Sequence, residues 1–430
     1  MRGQKPREIA SQILGRRAGG GYIEELLEQG LGHAQLSAAD RHLCQELVYG
    51  IVRWQATLDW LIARKTQSRT QRGGLQNLLR LGLYQIFWLD RIPDHAAVHE
   101  SVELAKQNGF GPQAGFVNAV LRGYLREHDA TRQLLDELKT SQPPLGYSHP
   151  EWLVARWQER WGGEKAAQLM AWNNTPPKTF ARVNTLKTDA GRLLPQWRDE
   201  NVEYDFVRQD WLEENLVFEL KSFPPLQGLP SFQQGLFYVQ DPSTLLAARM
   251  LDPKPGDSVL DLCAAPGGKL THIAQIMGNE GRLAAHDTAP ERLRLVKENC
   301  DRLGAKAEIM DPDGGSLKEP GAFRRILVDA PCSNTGVMRR RVDLRWRVTA
   351  EEIARLRLAQ MDLLAQAAPL LEPGGTLVYS TCSLEPEENH QVVSAFLDGH
   401  GDFGLETERE LTPFSDHVDG TYVAKMKKSG

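Results

Sequence analysis

Two cysteines of this chain stand where covalent chemistry is easiest to do. In Arg325-Ile-Leu-Val-Asp-Ala-Pro-Cys-Ser333 and in Leu377-Val-Tyr-Ser-Thr-Cys-Ser383, an apolar run typical of a buried strand ends and a Cys-Ser pair follows. Each Cys therefore lies just past the C-terminal end of a predicted strand, the edge at which open α/β sheets bind ligands. A lone cysteine is usually a small buried hydrophobe, and Cys44 and Cys300, set in helical patterns, fit that description. Cys332 and Cys382 instead share a motif position, and a thiolate there is a nucleophile for covalent catalysis. Asp329, three residues before Cys332, adds a carboxyl to the same edge. The five cysteines include no C-x-x-C and no His cluster at ligand spacing, so neither a disulfide scaffold nor a metal site is expected.

A second constellation precedes them. Asp261-Leu-Cys-Ala-Ala-Pro-Gly-Gly-Lys269 follows the predicted strand 258–261 and opens a predicted helix over 270–277, the place for a Gly-rich turn that lets the backbone approach a ligand. It is not a phosphate loop, because Cys263 and Leu270 stand where that pattern needs Gly and Ser or Thr. Nor does it match G-x-G-x-x-G. Asp287 ends the next strand about 20 residues on, where an acid holds ribose hydroxyls. A ligand with ribose and no phosphate demand points to S-adenosylmethionine. Asp313, in Met310-Asp-Pro-Asp-Gly314, follows the third strand and could reach the adenine amine, with Asp311 an equal competitor.

A thiolate beside a methyl donor suits methylation of an aromatic carbon. C5 of cytosine is too weak a nucleophile to attack a sulfonium methyl, but thiolate addition at C6 makes C5 enamine-like. Asp329 would hydrogen-bond the N3/N4 edge and stabilise the charge that develops. Spacing alone leaves open which cysteine adds to the base.

These groups need a frame. The chain has 430 residues, enough for two to four domains, with 41% hydrophobic residues and ordinary Gly and Pro content, which excludes fibrous and largely disordered classes. Fifty-one Lys+Arg against 56 Asp+Glu give a net charge of −5, so nucleic acid would be held by local patches. The polar N-terminus and the lack of any apolar stretch of membrane-spanning length predict a cytoplasmic protein that meets no membrane. Over residues 1–140 helical periodicity dominates: Leu75, Leu78, Leu79, Gly82, Leu83 and Ile86 recur at three- and four-residue steps. The Pro- and Gly-rich stretch 141–150 predicts a linker. Beyond it Trp157 and Trp161, one helical turn apart, predict core packing, and 180–237 predicts a small α+β subdomain with strands at 180–183 and 216–220. From Asp257 onward strands at 258–261, 282–286, 307–310, 325–329 and 376–379 alternate with helices, the mark of a parallel, doubly wound sheet. One such helix opens on a capping box, Thr349 with Glu352, and is expected to run until Pro373-Gly374-Gly375. The expected domains are 1–140, 145–235 and 236–430.

Met338-Arg-Arg-Arg-Val-Asp-Leu-Arg-Trp-Arg347 follows the first Cys-Ser pair. Its Arg339, Arg340, Arg341, Arg345 and Arg347, with Trp346, read as a segment for RNA phosphates and a splayed-out base.

The motifs 261–269, Asp329-Ala-Pro-Cys-Ser333 and Tyr379-Ser-Thr-Cys-Ser-Leu-Glu-Pro-Glu-Glu-Asn389 closely resemble those of the NOL1/NOP2/Sun family of RNA 5-methylcytosine methyltransferases. Glu46-Leu-Val-Tyr-Gly-Ile-Val-Arg53, the stretch from Tyr84 to Glu103 and Phe116-Val-Asn-Ala-Val-Leu-Arg122 resemble the NusB-type helical RNA-binding domain, while His149-Pro-Glu-Trp-Leu153, Arg182-Val-Asn-Thr-Leu-Lys187 and Tyr238-Val-Gln-Asp241 extend the match. The resemblance implies an all-α NusB-like domain, a small α+β RNA-binding subdomain and a Rossmann-like, S-adenosylmethionine-dependent methyltransferase domain. It implies that Cys382 is the nucleophile, that Cys332 assists release, and that Asp329 acts with them. Cys263, Ala264, Ala265, Pro266, Gly267, Gly268, Lys269, Asp287, Asp313 and Asp329 would line the cofactor site. The implied substrate is 16S ribosomal RNA before or during small-subunit assembly, met by a monomer. Transfer RNA or another ribosomal site would be served by the same chemistry, and an inert NusB-type assembly factor is the alternative that the intact Cys332, Cys382 and Asp329 argue against.

Overall fold

The computed structural model describes residues 5–430 apart from Ala18, His33, Thr70 and 313–318, so Asp313 lies outside the described residues. The chain divides into two compact units, one of residues up to Thr175 with Met338–Arg347, the other of Pro176–Val337 with Val348–Gly430.

The first unit is helical. Helices Pro6–Arg17, Ala38–Arg53, Gly73–Trp88, Asp94–Gln107 and Ala114–Arg126 enclose a core in which Leu75, Leu78, Leu79, Leu83 and Ile86 are all buried, as their spacing predicts. The expected linker at 141–150 does not separate compact units. It holds a helical turn, Pro143–Gly146, and is tied back by Thr57 Oγ1, which donates to the Leu145 carbonyl at 2.7 Å, and by the Ala56 amide, which donates to Ser148 Oγ at 3.0 Å. The helix Glu151–Asn173 therefore stays with this unit, its Trp157 buried edge-on against His149.

The arginine-rich segment also belongs to this unit. Arg345 is fully buried and donates to the carbonyls of Arg53, Ser148 and Asn173 at 3.2, 3.2 and 2.9 Å and to Asn174 Oδ1 at 2.8 Å. Arg347 pairs with Asp343 at 2.8 Å, Arg17 takes the other oxygen of Asp343 at 2.6 Å, and Arg339 is buried with its guanidinium 4.0 Å over the Trp172 ring. An RNA-facing row is therefore corrected at Arg339 and Arg345, whose cationic heads are spent inside the protein. Arg340 is half-buried and Arg341 exposed.

The second unit holds two sheets. Strands β1 (Thr179–Val183), β2 (Glu203–Phe206), β3 (Val217–Ser222) and β4 (Phe237–Val239) form an antiparallel sheet in the order β2-β3-β1-β4, closed by Trp197 packed edge-on against Phe218 and Phe237. The larger sheet contains β5 (Ser258–Asp261), β6 (Arg282–Ala285), β7 (Glu308–Ile309), β8 (Phe323–Asp329), β9 (Leu371–Thr381), β10 (Phe403–Leu411) and β11 (Thr421–Lys428), in the order β10-β11-β9-β8-β5-β6-β7. Five strands are parallel, as expected, but β11 runs antiparallel to β9 and carries β10 as a hairpin edge, so the sheet is mixed. Alternate residues serve opposite cores: Val259, Leu327 and Val378 face one layer and Leu260, Val328 and Leu377 the other. Burial on both faces is why these strands read as continuous apolar runs.

The Thr349 hydroxyl caps its helix by accepting from the Glu352 amide at 3.2 Å. The helix ends at Ala367, before Pro369, and not at Pro373, which already lies in β9.

Candidate active site

Register brings the predicted residues to one edge. β5 and β8 pair Asp261 with Leu327, β8 and β9 pair Asp329 with Ser380, and the carboxyl ends of all three strands lie side by side. Beyond them the two Cys-Ser loops approach closely. The Gly336 amide donates to the Cys382 carbonyl and the Gly420 amide to the Gly336 carbonyl, both at 2.9 Å. A Cβ at Gly336 would sit 2.5 Å from the Gly420 carbonyl oxygen and 2.8 Å from that of Cys382, so only glycine fits.

The result is a thiol pair. Cys332 Sγ and Cys382 Sγ are 3.4 Å apart, and Cys382 Sγ donates to Asn334 Oδ1 at 2.8 Å, while Asn334 Nδ2 donates to the Cys332 carbonyl at 2.6 Å. Cys332 is buried and Cys382 partly exposed. The hydrogen bond with Cys382, followed by burial, pushes the Cys332 thiol well above its ordinary range. Cys44 and Cys300 are buried too, as expected of structural cysteines.

Asp329 is anchored from two sides: Lys269 Nζ lies 2.5 Å from Oδ2 and Ser380 Oγ donates to Oδ1 at 2.7 Å. Burial alone would lower the Lys269 ammonium, but the charge and hydrogen bond of Asp329 outweigh it and hold Lys269 above its usual value.

The Gly-rich turn has the shape its sequence implies. Gly267 adopts φ 103°, closed to other residues without strain, and caps the helix Gly268–Ile276. The Ala264 amide donates to the His286 carbonyl at 2.9 Å, joining the turn to the end of β6. There Asp287, 2% exposed, receives the Ala289 amide at 3.2 Å and Arg292 at 3.3 Å, with the Ala265 amide 3.4 Å from its other oxygen. Cys263, Ala264, Ala265, Pro266, Gly267, Gly268, Lys269, Asp287 and Asp329 therefore surround one loop. Asp311 is exposed.

Sequence reasoning missed Asp261 as a group with chemistry of its own. It is 1% exposed and neither carboxyl oxygen has a well-formed hydrogen bond. Burial, then the negative charge of Asp329, pushes it up to about 8 against the pull of Lys269. The only sequence signal is its position as the last residue of a buried strand.

This has a testable consequence. The folded protein keeps a proton on Asp261 that the unfolded chain releases near pH 3.8, so stability falls as pH rises from there until about 8. Asp261→Asn abolishes that loss. Urea unfolding should show the variant gaining on the parent by about 1 kcal/mol per pH unit between pH 5 and 8. An equal difference at both pH values would mean Asp261 is ionised throughout.

Comparison with known proteins places this geometry. Residues 248–427 match the family described as 16S rRNA methyltransferase RsmB/F, residues 4–126 the NusB family, and residues 149–219 the RsmF/B-like ferredoxin-like domain. The probable ribosomal RNA small subunit methyltransferase B of Bacillus subtilis is 39% identical over 435 residues, covering 95% of each chain. The crystal structure of PH0851 shares the fold, with a TM-score of 0.79 at 24% identity over 99% of both chains. That of NSun6 from Pyrococcus horikoshii superposes with a TM-score of 0.58 at 25% identity, over 65% of this chain and 98% of its own. With a NusB domain, a ferredoxin-like sheet and a Rossmann-like methyltransferase domain in one polypeptide, the chain belongs to the ribosomal RNA small subunit methyltransferase B family.

Proposed function

We propose that this chain transfers a methyl group from S-adenosylmethionine to C5 of a cytosine in 16S ribosomal RNA, through a covalent adduct with Cys382, in the cytoplasm and before or during small-subunit assembly. The observation that carries the reading is a pair of thiols 3.4 Å apart at the sheet edge that also bears the Lys269–Asp329 ion pair and the Gly-rich turn. No helix among the described residues is long and apolar enough to cross a membrane.

The residues suit the cofactor. Asp287, paired with Arg292, and Asp329, paired with Lys269, stand around one loop above the protonated Asp261, whose ionisation a ligand carrying sulfonium and ammonium charges would favour. When bound, S-adenosylmethionine supplies an electrophilic methyl. Asp287 would receive the ribose hydroxyls, and the backbone from Cys263 to Lys269 would line the rest.

The protein must make C5 reactive. Cys382 is the more exposed thiol and is oriented by Asn334; as the thiolate it forms an Sγ–C6 bond, and the C5=C6 electrons become available at C5. Asp329, fixed by Lys269 and Ser380, accepts or donates at the N3/N4 edge as charge develops there. After methylation solvent water takes the C5 proton, the C5–H electron pair re-forms the C5=C6 bond, and the Sγ–C6 bond breaks with its electron pair returning to Cys382. Cys332, held protonated beside Cys382, can give its proton to the departing sulfur. In the arginine-rich segment we assign the RNA phosphate contact to Arg341, which is exposed.

Bisulfite sequencing of 16S rRNA from cells with and without the gene should show one protected cytosine lost on deletion. Unchanged protection throughout 16S rRNA would exclude it as the substrate. For the cofactor, Asp287→Ala should weaken S-adenosylmethionine binding by about 1 to 3 kcal/mol in calorimetry. Unchanged affinity in the folded variant would remove Asp287 from the site.

A further inference from the structure

A carboxylate that the methyl-transfer scheme does not use lies directly behind the two thiols. Glu388 is fully buried in the one-turn segment Pro386–Glu388, six residues after Cys382. Buried carboxylates are normally paired with a cation, and among the described residues no ion pair to Glu388 is formed; its partners are an amide, a glutamine and two hydroxyls. Its Oε1 accepts the Ser333 amide at 2.8 Å and Gln360 Nε2 at 3.1 Å; its Oε2 accepts Ser383 Oγ at 2.5 Å and Ser333 Oγ. Ser333 follows Cys332 and Ser383 follows Cys382, and the two hydroxyl oxygens are 3.1 Å apart.

We infer that Glu388 is a positioning residue that joins the two cysteine loops and sets the spacing of the thiols. Neighbouring bonds extend the same grip. Gln360 Nε2 also donates to the Pro331 carbonyl at 2.9 Å, just before Cys332. Asn389 accepts from Thr381 Oγ1 at 2.6 Å and donates to the Ser383 carbonyl at 2.9 Å, holding both residues that flank Cys382. Tyr379 from β9 donates to the Glu388 carbonyl at 2.6 Å and fixes the clamp to the sheet. An ionised carboxylate only accepts, so it can satisfy all these donors at once; a glutamine in its place would bring two donors of its own. Burial holds the Glu388 carboxyl above its usual range, opposed by those same donors. An unneutralised buried charge is costly, and here its return is the alignment of two loops that β8 and β9 deliver separately.

The catalytic consequence rests on the covalent reading above, so the test has one arm that does not. In the free protein, iodoacetamide should alkylate Cys332 at least tenfold faster in Glu388→Ala and in Ser333→Ala than in the parent, with Glu388→Gln between, while buried Cys44 and Cys300 stay protected in all. Cys332 alkylating at the parental rate, or rising together with Cys44 and Cys300, would overturn the clamp whatever the reaction is. In single turnover with RNA and S-adenosylmethionine, Ser383→Ala should slow adduct formation, and Ser333→Ala should slow adduct breakdown, each by tenfold or more at unchanged cofactor affinity. Equal effects of the two serine variants on both steps would also overturn it. Absence of any adduct from the parent and from Cys332→Ala would instead count against the covalent mechanism and leave the alkylation result to decide the clamp.

Discussion

Cys382→Ala should bind S-adenosylmethionine with parental affinity, transfer no methyl group and form no covalent species with RNA. Cys332→Ala should behave in the opposite way, methylating once and then accumulating a protein–RNA adduct that survives denaturation. The difference follows from the environments of the two thiols. Cys382 is partly exposed and oriented through Asn334, whereas Cys332 is buried and kept protonated by its contact with Cys382 and by burial. Without Cys382 no bond to C6 forms, C5 stays a poor nucleophile, and the loss is complete. Without Cys332 the bond forms and its breakage lacks a proton. A denaturing gel with labelled RNA separates the two cases. An adduct from Cys382→Ala and none from Cys332→Ala would exchange the roles, and full turnover by both would end the covalent account.

Arg345→Ala should destabilise the helical unit by about 1 to 3 kcal/mol for each buried acceptor it leaves unpaired. The guanidinium is fully buried, has no carboxylate partner among the described residues, and serves carbonyls at Arg53, Ser148 and Asn173 and the amide oxygen of Asn174. Burial, then repulsion from Arg53, lowers its proton affinity well below the arginine norm, yet its hydrogen bonds hold three stretches of chain together. Truncation leaves those acceptors dry and unpaired. Arg341→Ala, at an exposed position of the same segment, should leave stability within about 0.5 kcal/mol and reduce the salt slope of RNA binding by roughly 0.7 to 0.9. Urea midpoints and salt titrations of both variants decide the matter. A stable Arg345→Ala with a reduced salt slope would return that side chain to the RNA.

The contrast between these two arginines shows what the sequence could and could not reveal. Strand ends were legible because burial on both faces writes uninterrupted apolar runs, so β5, β8 and β9 and the groups just beyond them, Asp261, Asp329, Cys332 and Cys382, could be placed from pattern alone. The capping box at Thr349 was legible because its partners are three residues apart. Strand β10 was not, because an edge strand with one outer face is mostly polar, as in Gly404-Leu-Glu-Thr-Glu-Arg-Glu410, and resembles a loop. Arg345 was misread because its acceptors lie 171 to 292 residues away, and a basic run looks the same whether its heads face phosphates or backbone carbonyls. Proline and glycine mark turns without showing what the turn packs against, and at 143–146 it is packed against the helical unit. Asp261, at a strand end, and Glu388, inside the Tyr379–Asn389 motif, could be located in the sequence, but their roles depend on three-dimensional burial.

The identity of the atom bonded to the base distinguishes covalent catalysis by Cys382 from every other route. Cys332→Ala incubated with S-adenosylmethionine and 16S rRNA, then digested with nuclease and protease, yields a cross-linked peptide for mass spectrometry. A methylated cytidine on the peptide containing Cys382 is the predicted result. A base carried by any other residue, or methylated RNA with no nucleotide on any peptide, would contradict it.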